Sequence, residues 1–134
     1  MDEKKKILII DDEPEIIQTV KMILEAENYS VLATSDGMEG LRLADTLKPD
    51  LVILDLRLPK MPGIGVLGAL RERKASPKIP VIILAGSRDS EVFLKDFDVQ
   101  EFLQKPVDKE RLLQKVHKIL NPPAKADAFS RRAA

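Results

Sequence analysis

The stretch ILIIDDEPEI, residues 7–16, decides how the chain folds, because it joins a short apolar run to three consecutive acids. Four aliphatic residues without polar alternation are typical of a β-strand that is covered on both faces. Proline follows the acids, and proline is well suited to the first turn of a helix. The stretch therefore predicts a buried strand that ends in carboxylates and leads directly into a helix.

Four further segments resemble strands. LVIL at 51–54 and VIIL at 81–84 are again continuous aliphatic runs, which favours central strands of a parallel sheet. YSVLAT at 29–34 and EFLQ at 101–104 carry more polar residues, and we place them at the sheet edges. The chain thus contains five predicted strands.

Helical periodicity fills the segments between these strands. The first helix begins at Pro14, the second is entered through Asp36 and Gly37, and the last begins after Pro106 and stops at the NPP of residues 121–123. A fourth helix near residues 88–96 is short and weakly patterned. The predicted apolar stripes are Ile16, Ile17, Val20, Ile23 and Leu24; Met38, Leu41, Ala44 and Leu47; Ile64, Leu67 and Leu70; and Leu112, Leu113, Val116, Ile119 and Leu120.

Alternation of strand and helix five times predicts an α/β fold with a parallel sheet, helices on both faces and right-handed crossovers. The residues after Asn121 show no apolar period. We therefore expect one folded domain over residues 1–121 and a flexible tail, or the start of a linker, over 122–134.

Composition limits the function. The chain has 134 residues, is 44% hydrophobic and only 4% aromatic, so its core must be mostly aliphatic. Lys plus Arg and Asp plus Glu both number 22, which argues against non-specific binding to nucleic acid. The absence of cysteine excludes disulfides and thiolate metal sites. The apolar run behind MDEKKK is too short for a secretory signal or a membrane span, so we expect a cytoplasmic protein.

The acids at two strand ends point to a metal. Asp11 and Asp12 end the first strand and Asp55 ends the third, and ligands of open α/β sheets bind at the carboxyl ends of the strands. Two carboxylates about 4 Å apart repel by about 4 kcal/mol at an effective dielectric constant near 20. A raised pKa or a bound cation must offset this repulsion, and Mg²⁺ suits such a set of oxygen ligands.

Each residue alone also has a structural explanation. Acids before a helix often cap it, and Asp55 alone could be an ordinary loop residue after a strand. Lys105 before Pro106 could be a solvated lysine at a helix start, and a structural role suits His117, the only histidine, better than catalysis. The functional interpretation depends on the acids and the lysine meeting at one sheet edge.

Five segments, taken together, resemble the receiver domain of two-component response regulators, and the fold expected is similar to that of the chemotaxis response regulator. The resemblance covers residues 5–120 and implies a flavodoxin-like doubly wound (βα)5 fold with strand order 2-1-3-4-5. The segments are ILIIDDEP, ATSDGMEGLRLA, PDLVILDLRLPKMPG, IPVIILAG and FLQKP.

The resemblance implies a role for each site residue. Asp55 would accept a phosphoryl group from a phosphohistidine on a sensor histidine kinase or histidine phosphotransfer protein. Asp11, Asp12 and Asp55, with the main-chain carbonyl of Arg57, would hold Mg²⁺. Lys105 would pair with the phosphoryl oxygens.

The resemblance also implies how such a domain signals. The Lys105–Pro106 peptide bond would be cis, and Phe102 would be the aromatic residue that turns inward on activation. The domain would catalyse only its own phosphorylation and dephosphorylation and would pass the signal to a downstream effector protein or domain. We expect no direct contact with nucleic acid, no membrane insertion, and a monomer or weak homodimer.

The sequence departs from the family pattern at Ala85, where a threonine or serine is expected to bond a phosphoryl oxygen. A lost hydrogen bond to a charged group costs about 1.5–3 kcal/mol. Ser87 could substitute if the loop bends at Gly86, and Arg57 and Ser87 lie beside the expected path of the attacking water. The segment from residue 85 to 105 also looks shorter than usual.

Three other functions are alternatives. Ala85 favours a pseudo-receiver, a protein-interaction module that acts without phosphorylation. A magnesium-dependent phosphatase of the haloacid-dehalogenase type needs a second acid two residues after its nucleophile, where this chain has Arg57. A flavin carrier needs a phosphate-binding loop after the first strand, and none is present there.

Overall fold

The computed structural model describes residues 4–73, 78–86 and 99–121. Ser87, the predicted helix at 88–96 and the predicted tail at 122–134 lie outside these ranges. All five predicted strands and the other four predicted helices are present in the described residues. The strands are β1 Lys6–Ile10, β2 Ser30–Thr34, β3 Leu51–Asp55, β4 Val81–Ala85 and β5 Glu101–Gln104, and the helices are α1 Pro14–Ala26, α2 Gly37–Leu47, α3 Gly63–Arg71 and α4 Lys109–Leu120.

The strands form one parallel sheet in the order β2-β1-β3-β4-β5, which confirms the predicted topology. The chain passes from β1 to β2 on one side and then crosses to β3 on the other side, so the winding reverses between β1 and β3. Ile10 pairs with Leu54 across this switch point. The residues that follow them, Asp11 and Asp55, therefore leave the sheet side by side.

Two aliphatic clusters cover the two faces of the sheet. One joins the sheet to α1 and α4, and the other joins it to α2 and α3. Every residue of β3 and β4 is buried. Because a fully buried leucine or isoleucine contributes about 1.5–3 kcal/mol, these two strands make a rigid base for the residues at their carboxyl ends.

Two residues of the predicted helical stripes are exposed. Met38 is 64% exposed and Ile64 is 41% exposed. The buried face of α2 instead contains Gly40, where a Cβ atom would lie only 2.5 Å from Cδ1 of Ile10. This close approach of α2 to β1 turns Met38 outward, and in α3 the buried position belongs to Val66. The apolar stripes read from the sequence therefore differ from the buried faces of the helices at Met38 and Ile64.

The helix starts follow the expected chemistry. Pro14 is in the first turn of α1, and Asp36 caps α2 by accepting hydrogen bonds from the main-chain N–H groups of Met38 and Glu39 at 2.8 and 3.2 Å. Asp108 caps α4 in the same way through the N–H of Arg111. Within the described ranges, every helix is too short or too polar to cross a membrane.

Candidate functional site at the carboxyl ends of β1 and β3

Asp11 and Asp55 are buried side by side where the winding reverses, with 0% and 2% of their surface exposed. In each carboxylate, Oδ1 accepts a main-chain hydrogen bond, from Glu13 N–H at 2.8 Å and from Arg57 N–H at 3.1 Å. In each, Oδ2 is buried and accepts no hydrogen bond from the described residues. Both carboxylates are thus held in place while one oxygen of each stays available to a ligand.

Lys105 enters the same site from the end of β5. Its main-chain N–H donates to the carbonyl of Ala85 at 2.8 Å, which continues the pairing of β5 with β4. Its ammonium nitrogen lies 3.2 Å from Asp11 Oδ2 and 3.4 Å from Asp55 Oδ2. The following peptide bond, Lys105–Pro106, is cis.

Glu13 is a member of this site that the sequence interpretation did not assign to it. It occupies the N-cap position of α1, but its side chain makes no capping hydrogen bond. Its carboxylate instead accepts a hydrogen bond from Lys105 Nζ at 2.6 Å. The available signal was the third acid of the DDE sequence, but only the fold brings Lys105 to it.

Burial dominates the electrostatics of the two buried acids. Desolvation raises the pKa of Asp11, against the lowering effects of the Glu13 N–H and the Lys105 charge. Desolvation also raises the pKa of Asp55, and the charge of Asp11 adds to this rise. For Lys105, burial acts to lower the pKa, but the hydrogen bond to Glu13 and the charges of Asp11 and Asp55 outweigh burial, and its pKa is raised.

The donor set suits a hard divalent cation. Carboxylate oxygens of Asp11, Asp12, Glu13 and Asp55 lie within 4.8 Å of one another. The two buried Oδ2 atoms lack hydrogen bonds and carry an electrostatic cost that one ammonium group balances only in part. Oxygen donors crowded in this way are the ligands that Mg²⁺ prefers, so the residues fit this ion.

An open cleft of about 410 Å³ leads to these groups. Asp55 lines this cleft, and its buried neighbour Asp11 is not among the lining residues. The structure thus brings the sequence-predicted Asp11, Asp12, Asp55, Arg57 and Lys105 to one edge of the sheet. The described residues that line the cleft are Asp12, Glu13, Asp55, Arg57, Gly86 and Lys105.

The loop that follows Asp55 is fixed by a close approach at Gly63. The Gly63 N–H donates to the carbonyl of Leu56 at 3.0 Å, and a Cβ atom at Gly63 would lie 2.5 Å from Cα of Leu56. No side chain fits there without moving the backbone. Gly63 therefore sets the path of the chain through Leu56 and Arg57, next to the carboxylate of Asp55.

The described residues of the predicted switch lie on the neighbouring strands β4 and β5. Ala85, 5% exposed, ends β4, and its methyl group offers no hydrogen bond. The next residue, Gly86, is exposed, and a Cβ atom there would meet no atom within 4 Å. Phe102 is half-buried on β5, pairs in register with Ile83 and packs against the cluster formed with α2 and α3.

Sequence comparison identifies relatives over most of the chain. The family model of the response regulator receiver domain matches residues 7–117. The DNA-binding dual master transcriptional regulator RpaA of Synechocystis is 39% identical over 117 residues, which are 86% of this chain and 48% of that protein. The chain spans about half the length of the first curated relatives that it matches.

Solved structures agree with this match. The chemotaxis protein CheY4 of Vibrio cholerae has a TM-score of 0.81 and 28% identity, covering 88% of this chain and 100% of that chain. A CheY-like receiver domain protein of Methanospirillum hungatei also has a TM-score of 0.81, with 30% identity, covering 89% of this chain and 95% of that chain. The chain belongs to the response regulator receiver domain family, whose members are signalling domains of two-component systems.

Proposed function

We propose that the chain is a phosphoryl-accepting switch in which Asp55 takes a phosphoryl group from a phosphohistidine with the help of Mg²⁺. One observation carries this proposal. Asp55 Oδ2 is buried at a strand end, accepts no hydrogen bond from the described residues, and lies 3.4 Å from the ammonium of Lys105 at an open cleft. Such an oxygen is held in place but is free to form a bond.

The transfer follows from this geometry. The Arg57 N–H holds Asp55 Oδ1, which leaves Oδ2 as the oxygen that would attack the phosphorus. Oδ2 attacks, a P–O bond forms, the P–N bond to the histidine breaks, and the imidazole leaves with the electron pair of that bond. A carboxylate is a weak nucleophile, so positioning and neutralisation of charge provide most of the rate.

The negatively charged phosphoryl oxygens need positively charged groups beside them during transfer. Lys105 supplies one charge from its position beside Asp55. Mg²⁺ would be held by Asp11, Asp12, Asp55 and the main-chain carbonyl of Arg57, and when bound it supplies further positive charge to the transferred group. The side chain of Arg57 is exposed at the rim of the cleft, beside the path by which water would reach an acyl phosphate.

The partners follow from the same chemistry. We propose a sensor histidine kinase or histidine phosphotransfer protein as donor and an effector protein or domain as receiver of the signal. RpaA is named as DNA-binding, but the balanced charge of this chain gives it no basic surplus of its own, so we assign nucleic-acid binding to an effector. We further propose that residues 1–121 act in the cytoplasm, as a monomer or weak homodimer, and catalyse only their own phosphorylation and dephosphorylation.

Intact-protein mass spectrometry tests the function. Incubation with acetyl phosphate and Mg²⁺ should add one phosphoryl group to the wild-type chain and none to Asp55→Asn. Chelation of Mg²⁺ should abolish the reaction. A wild-type protein that stays unmodified while its fold is intact, or an Asp55→Asn protein that is modified equally, would refute the proposal.

A second candidate is a pseudo-receiver that binds its partner without phosphorylation, and Ala85 is the observation that favours it. The buried methyl group of Ala85 stands where the family has a hydroxyl, so loss of the phosphoryl-dependent movement is its expected consequence. The two candidates differ in one measurement. Amide NMR shifts at Gly86 and Phe102 on adding Mg²⁺ and beryllofluoride should be large for a switch and absent for a pseudo-receiver.

A further inference from the structure

We propose that Glu13 is a positioning residue that holds Lys105 in the unphosphorylated state and must release it before Lys105 can bind a phosphoryl group. Glu13 would then set how readily Asp55 is phosphorylated. This inference rests on the proposed function, because it concerns the same lysine and the same cleft.

The distances around the ammonium group rank its three partners. Glu13 Oε1 lies 2.6 Å from Lys105 Nζ, within the range of strong charge-assisted hydrogen bonds. Asp11 Oδ2 and Asp55 Oδ2 lie at 3.2 and 3.4 Å and accept no hydrogen bond in the described residues. Among the three carboxylates, Glu13 thus makes the shortest contact with the ammonium of Lys105.

The Glu13 carboxylate belongs to the acidic group at the cleft, and it has no role in capping its own helix. It begins α1 without capping it, and Lys105 is the partner of both its hydrogen bond and its ion pair. Arg57, the other cation that lines the cleft, makes no ion pair with it among the described residues. The contact between Glu13 and Lys105 is therefore a property of the site and not a by-product of helix formation.

The two kinds of partner differ in their freedom to move. The side chain of Glu13 is 55% exposed, whereas those of Asp11 and Asp55 are 0% and 3% exposed. Glu13 can rotate into solvent without moving the backbone, and water can replace its hydrogen bond. Asp11 has no such alternative. Release of Lys105 thus takes place at Glu13.

The negative charge of Glu13 also opposes phosphorylation in a second way. A phosphoryl group brings additional negative charge to the cleft that Glu13 lines. Glu13 therefore opposes phosphorylation both by competing for Lys105 and by repelling the group that Lys105 must bind. Removing its charge should favour phosphoryl binding by about fivefold, the factor that corresponds to an ion pair of about 1 kcal/mol.

The test compares three variants by titration with beryllofluoride at saturating Mg²⁺. Glu13→Gln should bind this phosphoryl analogue about fivefold more tightly than the wild type, and Glu13→Asp, whose shorter side chain weakens the contact but keeps the charge, should lie between them. Glu15→Gln removes the same charge from the exposed first turn of α1 and is the matched control. Equal affinities of Glu13→Gln and Glu15→Gln would overturn the proposal.

Two further measurements separate positioning from other roles. The ¹⁵N-edited NMR signal of the Lys105 ammonium, assigned with Lys105→Arg, should shift in Glu13→Gln and not in Glu15→Gln. Loss of the nearby charge should weaken Mg²⁺ binding only modestly in Glu13→Gln, whereas a loss as large as that in Asp12→Asn would make Glu13 a metal ligand and overturn the proposal. These readouts need no phosphoryl transfer, so failure of the wild type to be phosphorylated by acetyl phosphate would count against the proposed function alone.

Discussion

Asp11 Oδ2 lies 3.2 Å from Lys105 Nζ, yet this buried oxygen accepts no hydrogen bond in the described part of the chain. The contact joins the residue that follows β1 to the residue that follows β5. It balances part of the charge of two adjacent carboxylates, and burial still raises the pKa of both Asp11 and Asp55. The metal-free site therefore holds unfavourable charge.

From this relationship we predict that Asp11→Asn stabilises the metal-free protein and abolishes its stabilisation by Mg²⁺. One fewer buried charge relieves repulsion worth about 1 kcal/mol or more. Thermal unfolding with chelator and with excess Mg²⁺ checks both effects. Glu25→Gln, an exposed change on α1, is the control and should leave the Mg²⁺ response unchanged. A larger Mg²⁺ response in Asp11→Asn than in the wild type would contradict the assignment.

Glu101 predicts a pH dependence of stability. The hydrogen bond from Lys115 Nζ at 2.8 Å lowers the pKa of Glu101, with a further contribution from the charge of Lys118. Because the folded-state pKa is lower than the unfolded-state pKa, the stabilisation is complete above the unfolded-state value and is lost as the pH falls through the folded-state value.

Glu101→Gln should therefore lower the free energy of unfolding by about 0.5–1 kcal/mol near neutral pH, and this difference should shrink as the pH falls through the folded-state pKa of Glu101. Urea denaturation at a series of pH values measures this difference. Glu110→Gln, which replaces an exposed acid in the first turn of α4, serves for comparison. A difference that stays constant across the series would show that Glu101 acts through packing alone.

Gly63→Ala should disturb the site from a distance. The added Cβ atom would lie 2.5 Å from Cα of Leu56, so the loop after Asp55 must move. We expect a loss of about 1–3 kcal/mol in the free energy of unfolding, together with weaker Mg²⁺ binding. Gly86→Ala is the matched control, because a Cβ atom there meets nothing within 4 Å. Denaturation and Mg²⁺ titration of both variants provide the check, and equal behaviour would exclude a special role for Gly63.

The meeting of Asp11 with Asp55 was predictable because it depends on the pairing of two strands. Continuous aliphatic runs predict buried parallel strands, and Ile10 and Leu54 are indeed paired, which places the next residues together. The contact between Glu13 and Lys105 was not predictable in this way. It spans 92 positions, and it depends on the rotamers of two long side chains, which periodicity does not encode.

The buried faces of the helices show a second limit of prediction from the sequence. Spacing placed Met38 in the apolar stripe of α2, but α2 approaches β1 at Gly40 so closely that a Cβ atom would lie 2.5 Å from Cδ1 of Ile10. Glycine carries no apolar side chain, so a pattern of apolar residues does not register it. The buried face of the helix is rotated accordingly, and Met38 is 64% exposed.

Ala85→Ser should allow the end of β4 to respond when a phosphoryl analogue binds in the cleft. Ala85 is 5% exposed, so a hydroxyl there lacks full hydration and should lower the stability of the metal-free protein by about 1–3 kcal/mol. A phosphoryl analogue on Asp55 would offer that hydroxyl an anionic acceptor, whose hydrogen bond is worth about 1.5–3 kcal/mol. The variant should therefore be less stable alone and bind beryllofluoride with Mg²⁺ about tenfold to a hundredfold more tightly.

Denaturation and beryllofluoride titration measure the two halves of this prediction, and amide NMR shifts at Gly86 report whether the end of β4 responds. Ala33→Ser, a similar change at a half-buried position on β2, controls for the cost of a hydroxyl in the sheet. If Ala85→Ser is destabilised but gains no affinity for beryllofluoride, the hydroxyl does not reach the phosphoryl group. The alanine at residue 85 would then not limit phosphoryl binding. If the gain in affinity appears together with new shifts at Gly86, a single hydroxyl separates this chain from a fully coupled receiver.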